Sequence, residues 1–268
     1  MESGPRHPGA DQDLHHPAAV EIRQRLMTVP TAETVPLILA GGRGTRIAGL
    51  FPSLPKPAIP VGGRPFLGWI LSQLAEVGFT KVVISGGHLY NVLKAEITPA
   101  VPAGMEVRWI EETVPLGTGG GAIHAARESG LQPAHWLVMN GDSYLGGDWS
   151  VRMAFKKGGE ACLVACQMAD TGRYGRLEVV DGWLESFQEK QAGGPGLINA
   201  GIYFLPRIWL NENVKVISQS METELIPGWL AAGRTIRVEQ VEAPFLDIGT
   251  PEDFQKSESF FLSQKGMP

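Results

Sequence analysis

The chain has 268 residues and a mass of 28.9 kDa, of which 43% are apolar and 19% charged. At roughly 150 residues per domain, this length predicts one large domain or two small ones with a sizeable core. The net charge of −5 argues against a nucleic-acid-binding protein, and no apolar run approaches the ~18 residues needed to span a bilayer. Much of the abundant glycine (34 residues) lies in tight clusters, which is the first indication of function.

Both ends of the chain read as tails. Residues 1–33 lack a regular apolar pattern, apart from a short helix predicted over 20–27, and residues 263–268 form a C-terminal tail. The N-terminus has no basic region followed by an apolar stretch, so no secretion signal is predicted. Cys162 and Cys166 lie in an apolar run and read as buried free thiols, which favours a cytoplasmic location.

Between the tails, short apolar runs alternate with helical patterns. This alternation predicts an α/β protein with a mostly parallel central sheet and helices on both faces, followed by a more β-rich part. We expect one domain over 34–262, with its two parts at about 34–150 and 151–262. The predicted strands are 35–40, 81–85, 105–110, 135–139, 160–168, 177–180, 183–187, 197–205 and 235–241, and the predicted helices are 66–77, 88–97, 120–128, 221–232 and one that opens at 251.

A glycine-rich loop follows the first predicted strand directly. Glycines at the carboxyl end of such a strand let backbone N–H groups approach phosphate oxygens closely. A dinucleotide-binding pattern would need glycine at position 47, where Ile47 stands, and no Gly-Lys-Ser/Thr phosphate loop occurs in the chain. The alternative is a glycine turn with a surface arginine. The loop comprises Leu39, Ala40, Gly41, Gly42, Arg43, Gly44, Thr45 and Arg46.

A second unusual segment, Leu54-Pro55-Lys56-Pro57, follows about ten residues later. Proline pushes the residue before it towards extended geometry, so the two prolines stiffen the chain around Lys56. A rigid lysine beside a phosphate loop suits an anionic transition state. The alternative is a lysine in an ordinary loop.

Together these motifs resemble the sugar-1-phosphate nucleotidyltransferase family. The similarity extends from about Leu37 to Phe254, and the stretch from Leu54 to Leu67 is most similar to the D-glycero-D-manno-heptose 1-phosphate guanylyltransferases of bacteria. The resemblance implies a Rossmann-like nucleotidyltransferase fold. Its nucleotide-binding part would be about 34–150, and a smaller β-rich part at about 151–262 would bind the sugar phosphate.

The resemblance also assigns residues on the nucleotide side. Arg46 and Lys56 would be catalytic. A second glycine cluster after the third strand, with Gly117 and Thr118, would leave backbone bare for the base; its alternative is a glycine-rich helix entry with Thr118 as cap. The nucleotide-binding residues would be Leu39, Ala40, Gly41, Gly42, Gly44, Thr45, Gly117, Thr118 and Gly141.

Two aspartates are candidate Mg²⁺ ligands. Asp142 follows the fourth predicted strand, where a carboxylate facing a phosphate loop suits Mg²⁺. Family resemblance adds Asp247 as the second ligand. Each aspartate taken alone reads as a turn or capping residue.

The sugar-phosphate side rests on the resemblance alone. It would comprise Gly175, Glu189, Lys190, Asn199 and Glu222, with Lys190 holding the phosphate of the sugar. The alternatives are surface lysines, strand turns and, for Glu222, a solvated helix start.

The expected function is therefore formation of an NDP-sugar, GDP-heptose being favoured, and pyrophosphate from an NTP, GTP being favoured, and a sugar 1-phosphate, with Mg²⁺ as cofactor. The alternatives are a mannose- or glucose-1-phosphate enzyme that uses ATP, CTP, UTP or dTTP, and a non-catalytic sugar-nucleotide sensor. No nucleic acid or membrane partner is expected, and the sequence leaves a homo-oligomer open.

Overall fold

The computed structural model describes residues 31–147, 160–172, 174, 176–188, 193–211 and 216–264. The short helix predicted at 20–27 lies outside the described residues.

Thirteen strands are found in the described part of the chain. Nine of them form the central sheet, and the other four form two small two-stranded sheets. The central strands are β1 (Thr34–Ala40), β4 (Lys81–Gly86), β5 (Glu106–Glu111), β6 (His135–Asn140), β8 (Ala161–Met168), β9 (Arg176–Val180), β10 (Trp183–Gln188), β11 (Gly196–Pro206) and β12 (Ile236–Val241), and the small sheets pair β2 (Pro60–Val61) with β3 (Arg64–Pro65) and β7 (Ser143–Leu145) with β13 (Phe245–Asp247).

The central sheet has the order β5-β4-β1-β6-β11-β8-β12-β10-β9. The first four strands are parallel to one another, as is the β8–β12 pair, whereas β11 runs antiparallel to both β6 and β8. The predicted α/β fold with a mixed sheet is confirmed. Parallel pairing dominates the first half because helices return the chain across the sheet there, while β9 and β10 are joined by a tight antiparallel turn.

The helices largely follow the apolar spacing of the sequence. The first, α1, buries Leu67, Ile70, Leu71 and Leu74 and ends at Gly78, which has the left-handed φ of 100° typical of a helix end. The helices are α1 (Phe66–Val77), α2 (Tyr90–Ile97), α3 (Gly117–Glu128), α4 (Ile208–Asn211), α5 (Ile226–Ala231) and α6 (Pro251–Gln264), and a π-helical turn, Met221–Leu225, precedes α5.

Several helix boundaries differ from the prediction. The helix α2 begins at Tyr90 and not at residue 88, and the predicted helix over 221–232 is the π-helical turn followed by α5. The helix α3 begins three residues early, at Gly117, because residues 217–221 pack against its first turn. The last helix begins after Thr250 as predicted, with the Asp253 N–H donating to Thr250 Oγ1 at 3.3 Å. It continues to Gln264, so the predicted tail at 263–268 begins inside this helix.

The core forms one apolar layer on each face of the central sheet. Phe261 of α6 stacks on Trp69 of α1 with ring centroids 4.4 Å apart, which fixes the last helix to the first. Cys162 and Cys166 are buried free thiols, as predicted, and burial raises the pKa of Cys166 to about 12. No helix in the described part of the chain is long and apolar enough to cross a membrane.

Candidate active site

A cavity of about 490 Å³ lies at the carboxyl ends of β1, β4, β5 and β6. This is where an open α/β sheet binds its ligands, because the loops that follow parallel strands meet there. The cavity wall includes Gly41 and Gly42 of the first glycine loop, Gly117 and Thr118 of the second, and Asp142.

The first glycine loop lies against the rigid lysine segment. Gly44 has a φ of +57°, and a Cβ at this position would lie 3.0 Å from Lys56 Cβ. Thr45 and Arg46 are exposed in the following turn. The loop therefore needs glycine at position 44 for both its backbone angle and its close approach to Lys56.

Gly141 allows the ends of β1 and β6 to approach each other. Its N–H donates to the Leu39 carbonyl at 2.8 Å, and a Cβ at Gly141 would lie 2.9 Å from that same oxygen. Glycine here brings Asp142 close to the first glycine loop.

Lys56 joins the two predicted metal-ligating aspartates. Its Nζ donates to Asp142 Oδ2 at 2.7 Å and to Asp247 Oδ1 at 3.1 Å. The lysine and Asp247 side chains are 8% and 17% exposed, and that of Asp142 is 39% exposed on the cavity side. Residues that are far apart in the sequence thus converge on one ammonium group.

The short β7–β13 pair accounts for this convergence. Asp247 lies opposite Ser143 in the antiparallel register, and Ser143 directly follows Asp142. Each strand has only three residues, so neither apolar periodicity nor length made them visible in the sequence.

Charge and burial compete at these groups. Burial alone would lower the pKa of Lys56, but Asp142 and Asp247 together raise it above the ordinary lysine value, so the ammonium group stays charged. Burial raises the pKa of Asp247, Lys56 opposes this, and the neighbouring Asp142 carboxylate raises it further, with a net increase. A divalent cation beside these two carboxylates would relieve their repulsion.

Arg46 lies at the edge of this cluster. A Cβ built on Gly249 would be 2.8 Å from Asp247 Oδ1 and 3.5 Å from Arg46 Nη2, so the guanidinium and the carboxylate flank the same glycine. Arg46 is exposed beside Asp247, so its guanidinium is accessible to an incoming anion.

The glycines at the start of α3 make room for the protein's own backbone. A Cβ would lie 2.5 Å from the Gln219 carbonyl oxygen at Gly117 and 2.2 Å from the Ile217 carbonyl oxygen at Gly120. The N–H of Gly120 also donates to the Gln219 carbonyl at 3.2 Å. The sequence predicted bare backbone for a base here, whereas the structure places residues 217–221 against these two glycines.

Glu222 links the start of α3 to β11 and to the turn before the π-helix. Its Oε2 accepts hydrogen bonds from Thr118 Oγ1 and Ser220 Oγ, each at 3.0 Å, and its Oε1 accepts one from Tyr203 Oη at 2.8 Å. The Asn199 side-chain amide donates in turn to the same Tyr203 oxygen. Burial and Glu222 raise the pKa of Tyr203 well above its usual value, so its hydroxyl stays protonated and donates to Glu222.

This network brings together two residues predicted on the sugar side, Asn199 and Glu222, and one predicted on the nucleotide side, Thr118. Gly175, Glu189 and Lys190 lie outside the described residues.

Glu112 is a cavity residue that the sequence reasoning missed. It follows β5 and lines the cavity, and its Oε1 accepts a hydrogen bond from the fully buried Ser85 Oγ at 2.7 Å. A Cβ would lie within 3.0 Å of that oxygen at both Gly41 and Gly121, so two glycines make space for this carboxylate. The available signal was a charged residue at the end of a parallel strand, the same signal that identified Asp142.

The donor set at Asp142 and Asp247 fits Mg²⁺. Within the described ranges no cluster of three or more His, Cys, Asp or Glu side chains could hold a metal alone. Mg²⁺ commonly takes one or two carboxylates and completes its shell with water and substrate phosphates, which is the set that two converging aspartates beside an open cavity provide.

Comparison with known proteins places this geometry in a family. The nucleotidyl transferase family model matches residues 35–264. The D-glycero-alpha-D-manno-heptose 1-phosphate guanylyltransferase of Campylobacter jejuni is 34% identical over 81% of this chain and 96% of that enzyme. The mannose-1-phosphate guanylyltransferase of Mycobacterium tuberculosis is 32% identical over 81% of this chain, which spans 62% of that enzyme's length.

A solved structure is also similar to this chain in both sequence and fold. The crystal structure of HddC from Yersinia pseudotuberculosis complexed with GMP-PN is 28% identical, has a TM-score of 0.75, and is matched over 84% of this chain and 98% of that one. The resemblance expected from the glycine loop and the rigid lysine is confirmed at the level of family and fold. The chain therefore belongs to the nucleotidyl transferase family.

Proposed function

We propose that the protein transfers a nucleoside monophosphate unit from an NTP, GTP being favoured, to a sugar 1-phosphate. The observation that supports this most strongly is the ammonium group of Lys56 held between Asp142 and Asp247, at the cavity and beside a glycine phosphate loop. The family gives the reaction class, nucleotidyl transfer.

In the proposed reaction an oxygen of the sugar phosphate attacks the α-phosphorus in line. A new phosphorus–oxygen bond forms, the bond to the bridging oxygen of the β-phosphate breaks, and pyrophosphate leaves with the electron pair. Because two anions must meet, positioning and charge neutralisation dominate the barrier. Lys56 and Arg46 provide fixed positive charge at the α-phosphate, and the N–H groups of the first glycine loop bind the other phosphates.

Asp142 and Asp247 would hold Mg²⁺ in this proposal. The ion would supply Lewis-acid neutralisation of phosphate oxygens. The carboxylates themselves hold Lys56 in place and orient its ammonium group, because each directs one oxygen to Nζ.

Asp142→Asn tests the metal role. We expect the Mg²⁺ concentration for half-maximal activity to rise about tenfold or more, a change of at least ~1.4 kcal/mol, because a neutral amide is a weaker Mg²⁺ ligand. Mn²⁺ binding measured by electron paramagnetic resonance should weaken in parallel. Asp181→Asn removes a carboxylate from the β9–β10 turn, where φ is +50° and asparagine is tolerated, and serves as the control. An unchanged Mg²⁺ titration in Asp142→Asn would exclude this residue from the metal site.

Glu112 supports guanine as the base. A carboxylate only accepts hydrogen bonds, and guanine presents two adjacent donors, N1–H and the 2-amino group. In adenine and cytosine the exocyclic amine stands beside an acceptor nitrogen, and in uracil and thymine the N3–H is flanked by two carbonyls. Ser85 fixes one carboxylate oxygen at the cavity wall, which pre-orients the group for such recognition.

Glu112→Gln should reduce the preference for GTP over inosine triphosphate, which lacks the 2-amino group. A hydrogen bond to a charged group contributes about 1.5–3 kcal/mol, so we expect a wild-type preference of roughly 10- to 150-fold in kcat/KM that falls to a few-fold. The exposed neighbour Glu111 provides the matched control, Glu111→Gln. If Glu112→Gln keeps the full preference for GTP, another group reads the base.

Two relatives guide the choice of sugar. The heptose 1-phosphate guanylyltransferase is matched over 96% of its own length by this chain, which favours GDP-heptose as the product. The mannose-1-phosphate enzyme, at 32% identity, makes mannose 1-phosphate the second candidate acceptor. The cytoplasmic location and the homo-oligomer remain predictions.

The decisive experiment is a matrix of the common NTPs against heptose, mannose and glucose 1-phosphates with Mg²⁺, followed by pyrophosphate release. We expect the highest kcat/KM with GTP and the heptose phosphate. A higher kcat/KM with mannose 1-phosphate would favour the second candidate. Tight nucleotide-sugar binding without pyrophosphate release from any pair would instead favour a sensor.

A further inference from the structure

The side-chain amide of Asn140 is a polar group in the cavity wall that the mechanism above does not use. Asn140 is the last residue of β6 and lines the cavity. Its Oδ1 is enclosed and has no hydrogen-bond partner within the described part of the chain. A buried amide oxygen without a partner costs about 1–3 kcal/mol, so such a group calls for an explanation.

The surrounding backbone is adapted to this amide. Gly201 has a φ of +71°, and a Cβ there would lie 2.5 Å from Asn140 Nδ2. Any larger residue at 201 would push the amide aside. The fold thus keeps a place for an amide that makes no bond within the described chain.

The position of Asn140 matches one part of a nucleotide. Asn140 pairs in register with Leu39 of β1 and lies two residues before Asp142, and all three residues line the cavity. In the proposed function, the base lies towards Glu112 and the α-phosphate lies at Asp142 and Lys56. The ribose must then occupy the cavity wall between them, where Asn140 lies.

We propose that Asn140 binds a ribose hydroxyl of the nucleotide and thereby positions the α-phosphate at Lys56. A hydroxyl can donate to Oδ1 or accept from Nδ2, so it satisfies the amide in either orientation. This inference rests on the proposed function, but it concerns the sugar of the nucleotide and not the base. It makes Asn140 a specificity residue for nucleotides that carry this hydroxyl.

The test compares GTP with its 2′-deoxy and 3′-deoxy analogues in the wild type and in Asn140→Ala. A neutral hydrogen bond contributes about 0.5–1.5 kcal/mol, so the wild type should prefer GTP over one of the analogues by roughly 2- to 13-fold in kcat/KM. In Asn140→Ala that preference should fall to about one, because the hydroxyl has lost its partner. A purely structural role would lower kcat/KM for all three nucleotides equally and leave the preference intact.

Asn91→Ala, on the exposed surface of α2, is the control and should keep the wild-type preference. Calorimetric binding of the same three nucleotides with Mg²⁺ gives a readout that does not need turnover. If another NTP proves to be the donor, its own deoxy analogues replace those of GTP. A wild type that treats all three nucleotides alike, or an Asn140→Ala variant that keeps the wild-type preference, would overturn this inference while leaving nucleotidyl transfer intact. Failure to bind or turn over any NTP would overturn both.

Discussion

Replacement of Lys56 by methionine should remove most of the activity and also destabilise the fold. The ammonium group is the shared partner of Asp142 and Asp247, and losing one preorganised electrostatic contact typically lowers turnover by about 10²–10³-fold. Removing one member of a buried ion pair costs about 3–5 kcal/mol, and we expect the lower end because Asp142 is 39% exposed. For a chain of this size, the loss corresponds to a fall in Tm on the order of 10 °C.

Thermal unfolding with and without Mg²⁺ separates the two effects. In Lys56→Met the two carboxylates lose the ammonium group between them, so Mg²⁺ should raise the Tm of this variant more than that of the wild type. Lys81→Met is the control: Lys81 pairs with Glu106 on the surface, with side chains 36% and 52% exposed, and its loss should cost at most about 1 kcal/mol. Wild-type kcat in Lys56→Met would contradict the proposed mechanism.

Arg46→Ala should lower kcat by about 10²–10³-fold at saturating substrate concentrations, equivalent to about 3–4 kcal/mol of transition-state stabilisation. The guanidinium lies near Gly249 and Asp247, where the proposed reaction would move negative charge from the α-phosphate to the leaving group. Because Arg46 is exposed, its removal should leave the Tm nearly unchanged, in contrast to Lys56→Met.

The neighbouring Arg43 supplies a matched comparison. Arg43→Ala removes the same charge from the same exposed loop, but Arg43 lines the cavity, whereas Arg46 lies near Gly249 and Asp247. We expect a clearly smaller fall in kcat for Arg43→Ala. Equal losses in both variants would mean that the general field of the loop, and not the position of Arg46, assists the reaction. Arg46→Lys should recover part of the rate, because it restores charge without the planar fork.

Local motifs in the sequence predicted the first glycine loop and Lys56 as parts of the proposed site. The strand–glycine-loop pattern located residues 39–46, and the two prolines around Lys56 indicated a fixed lysine. Such motifs can be recognised in a sequence because they depend on backbone geometry within a few residues. The joining of Asp142 to Asp247 had no local signal, since it depends on a three-residue strand pair and on a register that only the folded chain defines.

The residues that were missed share a different property. Glu112, Ser85 and Tyr203 act through partners distant in sequence: Ser85 donates to Glu112, and Tyr203 donates to Glu222. A single serine in a buried strand or a tyrosine in β11 is indistinguishable from core packing until its partner is known. The glycines at the start of α3 make room for the backbone of residues 217–221. The sequence could not show this, because those residues lie about a hundred positions further on.

The β7–β13 pair has a consequence for how the protein is made. Its second strand ends at Asp247, so one of the two acidic groups emerges from the ribosome only after most of the sheet has been translated. A nascent chain that stops before residue 245 contains the parallel strands and the first glycine loop but lacks Asp247, the second of the two carboxylates that contact Lys56. If the site works as proposed, catalytic competence requires the late segment that carries Asp247 and Phe261, whose ring stacks on Trp69.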